Sequence, residues 1–136
     1  MKRIIGFVLG LVLSAACWAQ VKVVYHLNEG IPQASRAIGN IRNHLNADPT
    51  AQIVVVTHGA GIDFLLDGAT TPAAQPFAGS IGELANRGVQ FRVCQNTLDT
   101  RKIGKDRVVM EASVVPSGVA EVAHLQAKEG FVYLRP

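Results

Sequence analysis

The residue whose type and setting most invite chemistry is Cys94. It stands at the end of a strand-like run, Val89, Phe91 and Val93 alternating with Gln90 and Arg92, and directly before a helical stretch in residues 89–101. A thiol becomes a nucleophile when its thiolate is favoured, and the free N–H groups at a helix start favour it. Asn96 is a natural N-cap for that helix, expected over residues 97–103, with Asp99 near the reciprocal capping position. Arg92 and Arg101 are further cations of undetermined direction. A lone thiol without a resolving partner can carry a group, as a persulfide or a mixed disulfide. Cys94-Gln95-Asn96-Thr97 holds one sulfur, so the two-thiol redox cycle of C-x-x-C is excluded. The same position equally suits a small core side chain, because free cysteine is among the most buried residue types.

Around Cys94 the other reactive side chains are sparse. His58 opens a glycine-rich turn, His58-Gly59-Ala60-Gly61, and is a candidate base or hydrogen-bond partner for the thiol. His26 falls on a strand and His124 within the last helix, and both read as structural; His44 reads as solvated. These separated histidines, with no Cys or carboxylate at ligand spacing, predict no metal site. Ser117 lies in Val115-Pro116-Ser117-Gly118-Val119, which lacks the flanking glycines of G-x-S-x-G, so a hydrolase elbow is absent and Ser117 reads as a helix N-cap. No G-x-x-x-x-G-K or G-x-G-x-x-G follows a strand, so nucleotide binding is unsupported and no cofactor is expected.

The elements that must position these residues alternate. Strands are expected at residues 21–27, 53–57, 89–93, 112–115 and 131–134. Helices are expected at residues 35–47, 77–87, 97–103 and 119–128, with a short helical piece at 62–66. Asp48-Pro49-Thr50, Gly88 and Gly130 punctuate them, and residues 67–76, rich in Gly, Thr and Pro, form the longest irregular segment and a candidate mobile loop. Ile53-Val54-Val55-Val56-Thr57 has almost no polar face, the mark of a strand covered on both sides. Alternating strands and helices predict an α/β fold with three α/β/α layers and a mostly parallel five-stranded sheet. In such folds the carboxyl ends of the strands carry the ligand site. Here those ends are Asn28-Glu29-Gly30, His58-Gly59-Ala60-Gly61, Cys94-Gln95-Asn96 and Pro116-Ser117-Gly118.

The start of the chain is set apart from the fold. Lys2 and Arg3 precede an apolar run over residues 4–16, too short to span a bilayer comfortably, and Cys17-Trp18-Ala19 offers small residues for cleavage. Residues 1–20 therefore read as a cleaved signal peptide of a periplasmic protein, and residues 21–136 as one domain. Leu13-Ser14-Ala15-Ala16-Cys17 is a faint lipoprotein box, a minor alternative in which Cys17 is lipidated. Of 13 Lys and Arg against 10 Asp and Glu, two basic residues belong to that leader, leaving the remainder close to neutral. No cluster of basic and aromatic residues marks a nucleic-acid surface. Once the leader is removed, Cys94 is the single cysteine, so no internal disulfide can form.

Nearly all of residues 21–136 resembles the DsrE/DsrF-like family of sulfur-relay proteins, in particular its small exported single-domain members. The resemblance is carried by Val23-Val24-Tyr25-His26, by Ile53-Val54-Val55-Val56-Thr57-His58-Gly59 and by Gly88-Val89-Gln90-Phe91-Arg92-Val93-Cys94-Gln95-Asn96-Thr97-Leu98. Val114-Val115-Pro116-Ser117-Gly118-Val119-Ala120-Glu121 and the terminal strand complete it. It implies a DsrE-like fold that assembles as a homo-oligomer, a trimer or hexamer. In the cytoplasmic relay subunits, a cysteine at the position matched by Cys94 accepts sulfane sulfur and hands it on. The leader departs from those subunits, so their partners do not carry over. The expected function is a periplasmic persulfide carrier or sulfurtransferase-like protein with Cys94 as acceptor. His58, Gly59, Asn96 and Ser117 are its candidate ligand-binding neighbours, and the implied partners are sulfur donor and acceptor proteins or small sulfur compounds. The rival is a non-catalytic ligand-binding or assembly module in which Cys94 is structural.

Overall fold

The β-branched runs become five strands: β1 (Lys22–Leu27), β2 (Gln52–Thr57), β3 (Gln90–Cys94), β4 (Ala112–Val115) and β5 (Val132–Leu134). They form one sheet in the order β4-β3-β2-β1-β5, parallel at every pairing. The connecting helices are α1 (Ile31–Ala47), α2 (Phe77–Asn86), α3 (Gln95–Thr100) and α4 (Gly118–Glu129), with 3-10 turns at Gly59–Leu65 and Lys105–Arg107. The computed structural model describes residues 19–136; Cys17 and all but the last two residues of the expected leader lie outside them.

Period-two alternation sends the strand side chains to two cores. Val23, Tyr25, Leu27, Ile53, Val55, Phe91 and Val93 pack against α1 and α2 through Ile38, Ile41, Ile81 and Leu84. Val24, Val54 and Val56 face the other way and are covered by Val122 and Leu125 of α4, with Phe131. Among the described residues, one face is thus thickly covered and the other carries a single long helix. Each fully buried Leu or Phe in these layers contributes roughly 1.5–3 kcal/mol.

Three expectations shift. Helix α1 starts at Ile31 instead of residue 35, because Pro32 occupies the first turn, where its missing N–H has no partner to lose. The buried Gln33 then reaches back, its Oε1 accepting from the N–H groups of Asn28 at 3.0 Å and Glu29 at 2.8 Å. Residues 67–76 are irregular as expected, yet they are tied down: Asp67 N–H donates to the Arg107 carbonyl at 2.8 Å and Phe77 N–H to the Ala69 carbonyl at 3.0 Å. His44 is not simply solvated, since its Nδ1 lies 3.0 Å from the Tyr25 hydroxyl. No helix among the described residues is long and apolar enough to cross a membrane.

Candidate functional site

Because all strands run the same way, the turns after β1, β2, β3 and β4 meet along one edge of the sheet. Strand β2 leads into His58 and Gly59, β3 ends in Cys94, and β4 feeds through Ser117 into α4. A cavity of about 320 Å³ opens there. The five sequence candidates, Cys94, His58, Gly59, Asn96 and Ser117, all border it. Thr97, Thr100, Arg101 and Val119 complete its wall, and none of these four was singled out as a pocket residue from sequence.

Cys94 is 4% exposed, yet it belongs to neither of the two packed apolar clusters. Its position corrects one expectation: Cys94 itself is the N-cap of α3, with extended φ −72 and ψ 118, and Asn96 is the second residue of the helix. The strand runs on to pair Cys94 with Val115 in β4, so the helix must begin at the next residue, and sheet pairing overrides the capping preference of Asn96. Burial pushes the Cys94 thiol up. The N–H of Gly118, the Thr97 hydroxyl and the N–H groups of Thr97 and Asn96 outweigh this, holding the thiol below its ordinary value. None of them closes a full cap hydrogen bond in the resting geometry.

Two features place those donors. Gly118 has no side chain, and a Cβ there would stand 3.1 Å from the His58 Cβ, 3.1 Å from the Thr57 carbonyl oxygen and 3.3 Å from the Cys94 Cβ. Glycine therefore lets the start of α4 close onto the edge, where the side chain of Ser117 accepts from Ala120 N–H at 3.4 Å as its cap. On the other flank, Gly59 at φ +55 turns its N–H to donate to Thr97 Oγ1 at 2.9 Å. With its oxygen accepting from Gly59, the Thr97 hydroxyl keeps its proton for the sulfur.

The cations part company. Arg92 points to the α4 face and is half-buried against Glu121. Arg101 borders the cavity, where its Nη1 donates to Asp63 Oδ1 at 2.6 Å and to the Gly59 carbonyl at 3.2 Å. His58 lines the cavity but does not bond the thiol; its Nε2 lies 2.7 Å from Nε2 of His26. His26, read from sequence as structural, is therefore part of the site's surroundings. Parity carried that signal: Val24 and His26 share a face with Val54 and Val56, and the register sets His26 beside Val56. Among the described residues, no group of three or more His, Cys, Asp or Glu is arranged to hold a metal ion.

The model of the DsrE/DsrF-like family matches residues 4–135. The chain belongs to the DsrE/DsrF-like family. It is similar to the structure of a protein of unknown function, MTH1491 from Methanobacterium thermoautotrophicum. That similarity stands at 30% identity and a TM-score of 0.76, covering 86% of this chain and all of that one. It is similar in fold to the ychN protein from E. coli, with a TM-score of 0.68 at 12% identity over 86% of this chain and all of that one. No curated protein matches it significantly. The DsrE-like family is generally implicated in sulfur relay, and the five-stranded, all-parallel sheet with its helices is the DsrE-like fold.

Proposed function

We propose that this DsrE-like protein is an exported, periplasmic sulfur carrier in which Cys94 accepts sulfane sulfur as a persulfide. The observation that carries the proposal is the setting of the thiol: buried, outside both apolar clusters, and ringed by N–H and O–H donors at the wall of a cavity. Those donors favour the thiolate, the form that attacks. Its electron pair forms a bond to the outer sulfur of a donor, the donor's S–S bond breaks, and the remaining sulfur leaves with the bonding pair. The new outer sulfur occupies the cavity, where an acceptor thiolate attacks it and Cys94 leaves as thiolate. His58, Gly59, Asn96 and Ser117 line the space for the extra sulfur and its donor. Removal of residues 1–20 and assembly as a homotrimer or hexamer belong to the same proposal, on the strength of the leader pattern and the family resemblance.

The test is intact mass spectrometry of reduced protein treated with polysulfide or thiosulfate, beside Cys94→Ser. A gain of one or more sulfur atoms on wild type alone is the expected result. The second reading, a binding module with an inert cysteine, is favoured by the 4% exposure of Cys94 and by His58 bonding His26 instead of the thiol. No sulfur gain, together with a thiol that refuses iodoacetamide until the protein unfolds, would establish that second reading instead.

A further inference from the structure

The face of the sheet that α4 covers holds a hydrogen-bonded chain of three side chains beside the Cys94 cavity. His26 in β1 lies between Tyr133 of β5 and His58 at the end of β2. Its Nδ1 is 2.7 Å from the Tyr133 hydroxyl and its Nε2 is 2.7 Å from His58 Nε2. The imidazole centres are 4.9 Å apart and 28° from coplanar, so the rings meet edge to edge through those nitrogens. The strand order 5-1-2 is what aligns the three side chains across the sheet.

Two nitrogens facing at 2.7 Å need one hydrogen between them, so one ring donates and the other accepts. The tautomers are therefore coupled. When His26 donates to His58, its Nδ1 accepts from Tyr133 O–H; when His58 donates, His26 Nδ1–H donates to the Tyr133 oxygen. Switching between the two states moves a proton from one end of the chain to the other. The outer end, Tyr133, is 43% exposed and exchanges with water. The inner end, His58, borders the Cys94 cavity.

We infer that Tyr133, His26 and His58 form a proton relay from solvent to the Cys94 cavity, serving sulfur donors whose leaving group needs a proton. The inference rests on the proposal that Cys94 accepts sulfur. The substrate class it selects is a small organic persulfide. There Cys94 thiolate attacks the outer sulfur of R–S–S⁻, the Cys94 S–S bond forms, the donor's S–S bond breaks, and R–S⁻ leaves. R–S⁻ takes a proton from His58, His58 recovers it from His26, His26 from Tyr133, and Tyr133 from water. The sum is Cys94 thiolate plus R–S–S⁻ plus one proton giving Cys94 persulfide anion plus R–SH. His58 touches the reacting atoms; His26 and Tyr133 are positioning residues that act through it.

The surroundings keep the relay neutral and ready. Burial lowers both histidines, and the neighbouring His58 and Arg135 lower His26 further. Arg135, beyond β5, is itself paired with Glu29. On α4, Glu121 is taken up by Arg92 and His124 bonds Glu129. Across the cavity Arg101 is held by Asp63 and Cys94 is the remaining titratable group. Asp99 of α3 accepts from the Gln95 side-chain amide at 2.7 Å and does not line the cavity.

The test compares two donors on wild type, His26→Gln and Tyr133→Phe: glutathione persulfide, whose leaving thiolate is a strong base, and thiosulfate, whose leaving sulfite is a weaker base and departs unaided. His26→Gln is expected to slow loading from glutathione persulfide roughly ten- to a hundredfold, within the range for lost acid–base assistance, and to leave thiosulfate loading unchanged. The ratio of wild-type to variant rate should rise with pH as free protons become scarce. Tyr133→Phe removes one partially exposed hydroxyl, so it keeps the fold testable if His26→Gln fails to fold, and should show the same selectivity with a smaller effect. His124→Gln, outside the relay, should change neither rate. Equal slowing with both donors, or slowing with neither, would overturn the relay while leaving the Cys94 acceptor standing. Failure of wild type to load from either donor would overturn the acceptor, and the relay's task with it.

Discussion

Replacing Cys94 by Ser and by Ala separates a thiol in a polar cup from a thiol in a core, because the two settings predict opposite orders of stability. Cys94 has the extended backbone of an N-cap, with Asn96 at the second and Thr97 at the third helical position. Their N–H groups, and that of Gly118, face its side chain. A serine there puts a hydroxyl oxygen where an N-cap acceptor belongs, and Ser over Ala at an N-cap is worth about 1 kcal/mol. Alanine leaves those buried donors facing empty space, which adds a penalty of the same order. Cys94→Ser should therefore be more stable than Cys94→Ala by about 1–2 kcal/mol. In urea, with a slope of about 1–2 kcal/mol/M for a domain of this size, the two midpoints should differ by roughly 1 M. Equilibrium denaturation followed by circular dichroism reads it. In an apolar core the serine hydroxyl would lose about 1–3 kcal/mol and alanine would be the more stable variant. An alanine midpoint at or above that of serine would refute the donor-lined cup.

Three further outcomes follow from the same contacts. Thr97→Val removes the hydroxyl that accepts from Gly59 and faces the sulfur, so the thiol pKa should move up and alkylation by iodoacetamide at pH 7 should slow roughly three- to tenfold. His26 and His58 are both held below the ordinary histidine range. A base with a depressed folded pKa gives stability that is complete above the unfolded value near 6.5 and is lost as pH falls through the folded one, so urea midpoints should drop below about pH 6.5, and less in His26→Gln. Gly61→Ala would drive its Cβ into the Leu27 carbonyl and the Asn28 nitrogen, backbone atoms that cannot step aside, and should cost roughly 3 kcal/mol by thermal melting while Gly30→Ala, with open space around it, should cost far less.

Much of the scaffold was legible in the chain itself. The all-apolar Ile53-Val54-Val55-Val56 run announced a strand covered on both faces, and β2 is the central strand of a parallel sheet. Gly130 closes α4 in the left-handed conformation, as a glycine after a helix should, and Ser117 caps its start. What misled were local preferences that a longer-range contact overrode. Asn96 is the better cap by type, yet the pairing of Cys94 with Val115 moved the cap two residues back. The first helix, expected from residue 35, begins at Ile31 with Pro32 inside its first turn.

The sequence by itself determined the parallel α/β architecture and the strand-end location of Cys94, His58, Gly59, Asn96 and Ser117. Periodicity and turn chemistry act over a few residues, and those properties need nothing longer. Only the tertiary structure decided which strands are neighbours. That choice put Tyr133 beside His26 across 107 positions of chain and His26 against His58 across 32. It also pressed Gly118 between His58 and Cys94. Strand order is set by how helices of given length and apolar face cover a sheet as a whole, and no window of local sequence contains that balance.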